Sequence, residues 1–121
     1  MSAKQLSSRR RDGARGRRLD RAALIFAALG DDTRLRLVTR LSAKGPLSIA
    51  RLTRGASVTR QAITKHLQVL ASAGLARSAR VGRESVWEVE QEPLEVARQC
   101  IDRISAQWDS ALARLKNFVE E

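Results

Sequence analysis

The stretch Ser57-Val-Thr-Arg-Gln-Ala-Ile-Thr-Lys-His-Leu-Gln-Val-Leu-Ala-Ser-Ala-Gly-Leu75 has two sides when it is wound as a helix. With Arg60 at zero and 100° per residue, Thr64, Gln68, Gln61 and Lys65 fall between about 40° and 140°, whereas Val69, Ala62, His66, Leu70, Ile63 and Leu67 occupy about 180° to 340°. One face is apolar, and the other is basic and hydrogen-bonding. Thr59 stands where an N-cap belongs, and Gly74 stands where a helix ends. A solvated helix has the same polarity, so the neighbouring elements decide what this face is for.

Upstream, the punctuation repeats. The pattern from Asp20 is helical and closes at Gly30, and Asp31 then caps a second helix whose apolar side is Leu35, Leu37, Val38 and Leu41, ending near Gly45-Pro46. Ser48 caps a short helix carrying Ile49, Ala50 and Leu52, stopped by Gly55. Short helix, tight turn and longer helix make a helix-turn-helix, whose second helix lays its N-terminal residues against base edges in the major groove. Arg60 and Gln61 are at that end; Arg pairs with guanine and Gln with adenine, while Thr59, Thr64 and Lys65 suit phosphate.

Downstream the period changes to that of strands. Leu75 to Val81, a turn at Gly82-Arg83, and Ser85 to Val89 predict a hairpin with a basic tip. Pro93 marks the start of a last helix, which then runs to the C-terminus without Gly or Pro. Its apolar residues Ala97, Ile101, Ile104, Trp108, Ala111, Leu115 and Phe118 alternate steps of four and three, the spacing of a coiled-coil seam.

Charge separates the chain into parts with different tasks. The 121 residues carry a net +10. Residues 1–20 hold seven basic and two acidic side chains, residues 21–83 twelve and two, and residues 84–121 four and nine. The positive field over the first two-thirds suits a polyanion. With two Phe, two Trp and no Tyr, the chain lacks the stacking platforms that hold unpaired bases, which leaves double-stranded DNA as the expected partner.

The same counts exclude other classes. A hydrophobic fraction of 43% is too high for a disordered chain, and no apolar run reaches the eighteen residues that would suggest a membrane span. The apolar run Ala22–Leu29 follows a basic stretch as in a secretory leader, but Asp31 and Asp32 follow it with no small-residue cleavage site. It reads as a buried first helix of a cytoplasmic protein. One cysteine, Cys100, and one histidine, His66, supply neither a disulfide nor a soft-ligand metal site. No cofactor is expected, and no nucleophile, acid–base pair or metal cluster at a recognisable spacing suggests an enzyme. Residues 1–18, with Arg9-Arg10-Arg11 and Arg15-Gly-Arg17-Arg18, lack apolar periodicity and are expected to form a basic disordered tail ahead of one domain at 19–121.

Leu29-Gly-Asp-Asp-Thr-Arg-Leu-Arg-Leu37, Gly45-Pro-Leu-Ser-Ile-Ala-Arg-Leu52, the stretch from Ser57 to Leu70, Ala73-Gly-Leu75 and the Gly82 hairpin together resemble the ArsR-type winged helix-turn-helix repressors over about residues 20–121. The resemblance implies a mainly α fold with a small β-hairpin and a homodimer built by the first and last helices. It implies a transcriptional repressor that reads a short operator, with helix 59–72 in the major groove and the hairpin 75–89 as the wing. Ser57, Thr59, Arg60, Gln61, Thr64, Lys65 and Gln68 are then the helix-turn-helix contacts, and Arg80 and Arg83 those of the wing. Leu24 and Phe26 of the first helix join the seam of the last helix at the dimer interface. Family members that sense metals carry paired cysteines in the third helix, or Asp and His in the last. This chain has Ser48-Ile-Ala-Arg-Leu-Thr-Arg54 in the first place, and Asp102 and Asp109 without His in the second, so no metal site is expected and any effector is left unspecified. A sequence-tolerant architectural DNA binder and a winged-helix module that docks another protein are the alternative readings.

Overall fold

The computed structural model describes residues 3–120, with side chains at position 13 and from Arg15 onward. Helix α1 (Ala3–Leu29) is followed by α2 (Asp32–Lys44), β1 (Leu47–Ser48), α3 (Ile49–Thr53), α4 (Arg60–Ser72), β2 (Ala76–Val81), β3 (Glu84–Val89) and α5 (Gln91–Glu120). The strands form one antiparallel sheet in the order β1-β3-β2.

The predicted caps are in place. The Asp31 carboxylate accepts from the Arg34 amide at 3.1 Å, Ser48 Oγ from that of Arg51 at 3.3 Å and Thr59 Oγ1 from that of Ala62 at 3.1 Å, each satisfying a donor that the first turn leaves free. Helix α4 closes by a paired C-terminal motif in which Gly74 N–H donates to the Ala71 carbonyl and Leu75 N–H to that of Leu70, both at 2.9 Å. The motif needs Gly74 at φ +77°, a conformation that costs an L side chain roughly 1–2 kcal/mol. It also turns Leu75 back onto Leu70, both fully buried, and so fixes where the hairpin leaves the helix.

The apolar faces meet in one core of Ile25, Leu37, Val38, Leu41, Leu47, Leu52, Ile63, Leu67, Leu70, Leu75, Trp87 and Ala97. Two side chains tie helix ends into it. Arg34 Nε donates to the Ala28 carbonyl at the end of α1 at 2.6 Å, and Arg40 donates to the Leu52 and Arg51 carbonyls of α3 at 3.0 and 2.8 Å. His66, expected as a structural residue of the apolar face, is half-buried with Nδ1 3.3 Å from Arg34 Nη1 and 3.8 Å from Asp31 Oδ2, which pins α4 to the start of α2.

Three features differ from the sequence expectation. Strand β1 was not expected; its two residues pair as Leu47↔Trp87 and Ser48↔Val86, and two residues are too few to show a period. Helix α5 begins at Gln91 rather than Pro93, which lies in the first turn, where its missing N–H removes no bond. Helix α1 begins at Ala3, covering most of the stretch expected as a disordered tail over 1–18. Ala, Lys, Gln, Leu and Arg are good helix formers, and they extend a helix already nucleated by packing from Ala22 onward, against a cost of ~1 kcal/mol at each of Gly13 and Gly16. Gly13 and residues 15–20 are exposed, and Ala22 is the first buried residue of the described part.

Candidate nucleic-acid interface

Helix α4 turns Ile63, Leu67 and Leu70 into the core and leaves Arg60, Gln61, Lys65 and Gln68 exposed on the opposite side. Thr64, also expected on the open face, is half-buried, and its hydroxyl donates to the Arg60 carbonyl at 3.0 Å. It retains only acceptor capacity for a ligand. Thr59 has the reverse position: its oxygen accepts the Ala62 amide, leaving its hydroxyl proton free to donate to phosphate. Ser57 is exposed in the turn before it.

The hairpin supplies the second surface. From Arg77 to Val81 every residue of β2 is exposed, as are Gly82 and Arg83 in the turn. Arg77 is used internally, with Nε 2.5 Å from Glu88 across the sheet and 2.8 Å from Glu90. The hydrogen bond to Glu88 foremost, and then the charges of Glu88 and Glu90, raise the Arg77 pKa. Arg80 and Arg83 form no ion pair among the described residues, nor do Arg60 and Lys65. Positive charge is therefore left open on α4 and at the hairpin tip, and cancelled at Arg77.

A groove of about 280 Å³ joins the two surfaces. Its walls are the start of α3 (Ser48, Ile49, Ala50), Arg60 at the start of α4, and Arg83, Glu84 and Ser85 of the hairpin. Arg60 and Arg83, 23 positions apart, thus face one channel. A second cleft of about 430 Å³ follows the helix-turn-helix turn and brings Ser57 beside Arg36 and Arg54. Arg54 was not singled out from the sequence; it forms no ion pair among the described residues, whereas Arg36 is held by Asp32 at 2.9 Å. Only its charge marks Arg54, because α3 is too short to display a face.

The residues expected at a dimer interface divide. Ile101, Ile104, Trp108, Leu115 and Phe118 are 48%, 55%, 64%, 59% and 75% exposed, Ala111 is half-buried, and Leu24 of α1 is exposed. Ala97 is instead buried in the protomer's own core, and Phe26 packs against that core. Leu112 and Val119 extend the exposed apolar set. Near its start, α5 is fastened to α1 by a two-pronged ion pair from Arg21 to Glu92. That hydrogen bond is the chief reason that the Glu92 carboxyl lies below the usual range. Among the described residues no three His, Cys, Asp or Glu side chains are grouped to hold a metal, and no helix is long and apolar enough to cross a membrane.

A helix-turn-helix domain family matches residues 29–79, from the last residue of α1 to the first half of the wing. The HTH-type transcriptional regulator Rv2034 of Mycobacterium tuberculosis is 35% identical over 95 residues, covering 78% of this chain and 85% of its own length. YuzN of Bacillus subtilis, an uncharacterized HTH-type transcriptional regulator, is 44% identical over 77 residues, 59% of this chain and 84% of its own. Among solved structures, an ArsR-like transcriptional regulator from Rhodococcus sp. RHA1 superposes with a TM-score of 0.70 at 37% identity, over 83% of this chain and 93% of that one. With the capped helix-turn-helix, the open basic face of α4 and the arginine-tipped hairpin, these likenesses place the chain in the ArsR family of winged helix-turn-helix, DNA-binding transcriptional regulators.

Proposed function

We propose that the protein is a dimeric repressor that reads an inverted repeat in double-stranded DNA, with α4 in the major groove and the β2–β3 wing at its flank. The observation that carries this reading is the distribution of unspent cations. Arg60, Lys65, Arg80 and Arg83 are exposed and unpaired among the described residues, the first two on a helix whose reverse side is core and the other two on an open hairpin. Exposed cations on two neighbouring elements fit a phosphate backbone followed across a groove. Gln61 and Gln68 supply the neutral donors and acceptors that read base edges, adenine above all. The wing and the turn around Ser57 fix register.

Residues 19–121 form the DNA-binding and dimerisation unit, and the basic residues before them add sequence-independent attraction. A dimer built on the exposed seam of α5 and on Leu24 presents two α4 helices about 34 Å apart, one turn of duplex. Occupied promoter DNA is then closed to polymerase, and the protein acts in the cytoplasm without a cofactor.

The test is a titration at physiological salt against DNA from upstream of the protein's own gene and against a scrambled duplex of equal length. A specific regulator exceeds its non-specific affinity by ~10³-fold or more. Equal, salt-sensitive binding to random duplexes of every composition would replace the proposal with an architectural role. No binding to any duplex would leave a protein-docking module.

A further inference from the structure

Two clefts meet between α1 and α5, on a side of the molecule that the reading face does not use. The larger, about 570 Å³, is lined by Arg15, Leu19, Cys100, Arg103, Ile104 and Gln107. The smaller, about 210 Å³, shares Leu19, Cys100 and Arg103 with it and continues to Arg18 and Val96, so the two are one trough. The larger alone falls in the range of roughly 300–1,000 Å³ in which small-molecule sites lie.

Its chemistry is divided along its length. Leu19, Val96, Cys100 and Ile104 make an apolar floor, and Arg15, Arg18 and Arg103 stand on the rim. None of these three arginines forms an ion pair among the described residues, and the one carboxylate lining the trough, Glu92, is already engaged by Arg21. An apolar floor under guanidinium groups that no described carboxylate neutralises rejects a cation and leaves a neutral hydrocarbon without a partner for the rim. It also differs from a nucleic-acid surface, because a phosphate backbone has no hydrocarbon body to fill the floor. The planar guanidinium fork matches a carboxylate with two parallel hydrogen bonds.

We propose that this trough is an effector site for an amphipathic carboxylate, with its hydrocarbon or aryl body on Leu19, Cys100 and Ile104 and its head on Arg103 together with Arg15 or Arg18. Ile104 also belongs to the exposed seam of α5, so a bound ligand and a second copy of the chain touch the same side chain. The ligand thereby biases how two protomers pack, and with it the spacing of the two α4 helices. The site stands on its own geometry; its regulatory consequence rests on the DNA-binding reading above. Linkage then requires that the ligand weaken DNA binding by the same factor as DNA weakens ligand binding.

The experiment uses the full chain and decanoate as the probe, measured by titration calorimetry below its micelle concentration, with decanol and decyltrimethylammonium as neutral and cationic counterparts. Decanoate should bind about tenfold or more tightly than either, and Arg103→Gln should weaken it by about tenfold, the worth of one charged hydrogen bond. Arg103→Lys, which keeps the charge, should recover part of the loss. Equal affinity for all three probes, no effect of Arg103→Gln, or no binding of decanoate because a second copy already covers the trough, overturns the site. Decanoate should weaken the binding of DNA to the wild type, and the decanoate concentration at half-effect should rise about tenfold in Arg103→Gln; an unmoved DNA affinity in the wild type overturns the effector role. A protein that binds decanoate in this way and binds no duplex leaves the site standing and removes the DNA-binding reading instead.

Discussion

Gln61 and Arg83 are both exposed and both face the surface assigned to DNA, but their chemistries predict different failures. Gln61 presents an amide that can donate to and accept from one adenine edge, so Gln61→Ala should relax preference at one defined base-pair position by roughly 1–3 kcal/mol and leave binding to random duplex unchanged. Arg83 offers charge at the tip of a hairpin. Its replacement by Ala should weaken all sequences alike and reduce the slope of log affinity against log salt by about 0.9, one phosphate contact. Competition against a library of single-position operator variants, repeated over a salt series, separates the two outcomes. A Gln61→Ala variant with an unaltered preference profile would show that α4 is not the reading element.

At the scale of elements, the carboxylates that hold helices together set the acid limit of the fold. Asp31 is pulled below its ordinary 3.8, chiefly by the Arg34 amide that it caps, and Glu92 below 4.5, chiefly by its hydrogen bond to Arg21. A carboxyl group whose pKa is lower in the folded chain lends stability that is complete above its unfolded value. That stability is lost as pH falls through the folded value. The thermal midpoint should therefore be level from neutrality to about pH 5 and decline below about pH 4. Because Arg21 and Glu92 are both well exposed, solvent screens the pair, and Glu92→Gln should make the decline only slightly shallower. A midpoint that stayed level to pH 2 would remove these pairs from the account of stability.

The same elements show what could be read from the chain and what could not. Caps are local: Asp31, Ser48, Thr59 and Gly74 act within a few residues of themselves, so the starts of α2, α3 and α4 and the end of α4 follow from residue type. Strand β1 exists only because Trp87 and Val86 come back to meet Leu47 and Ser48, a pairing that no local pattern announces. The seam of α5 shows the other difficulty. Heptad spacing identifies a face without saying what lies opposite it. At Ala97 the partner is the protomer's own core, and from Ile101 onward that core has ended. Likewise the shared channel of Arg60 and Arg83 depends on how the hairpin folds over the start of α3, a relation between elements far apart in sequence.

For the whole molecule, the exposed length of α5 is the strongest argument about assembly. Twenty residues from Ile101 to Glu120 extend about 30 Å, and apart from the half-buried Ala111 all of them are exposed. A lone helix of this length is only marginally stable in water, and its stability in proteins comes from packing an apolar face. Here that face exists, in Ile101, Ile104, Trp108, Leu115 and Phe118, and no described side chain of the protomer buries it. In the proposed dimer a second copy does, through the same residues related by a two-fold axis. Trp108→Glu should then place a carboxylate in the seam without disturbing the core, since Trp108 is 64% exposed in the protomer. The variant should keep its helical circular dichroism apart from fraying of α5, and it should sediment as a monomer. Its affinity for an inverted repeat should fall by about 10²–10⁴-fold, because two half-sites no longer bind as one unit, while its affinity for an isolated half-site should change little. A Trp108→Glu protein that still sediments as a dimer and still binds the full repeat would move the interface off α5, and the spacing of the two reading helices would have to be set by another surface.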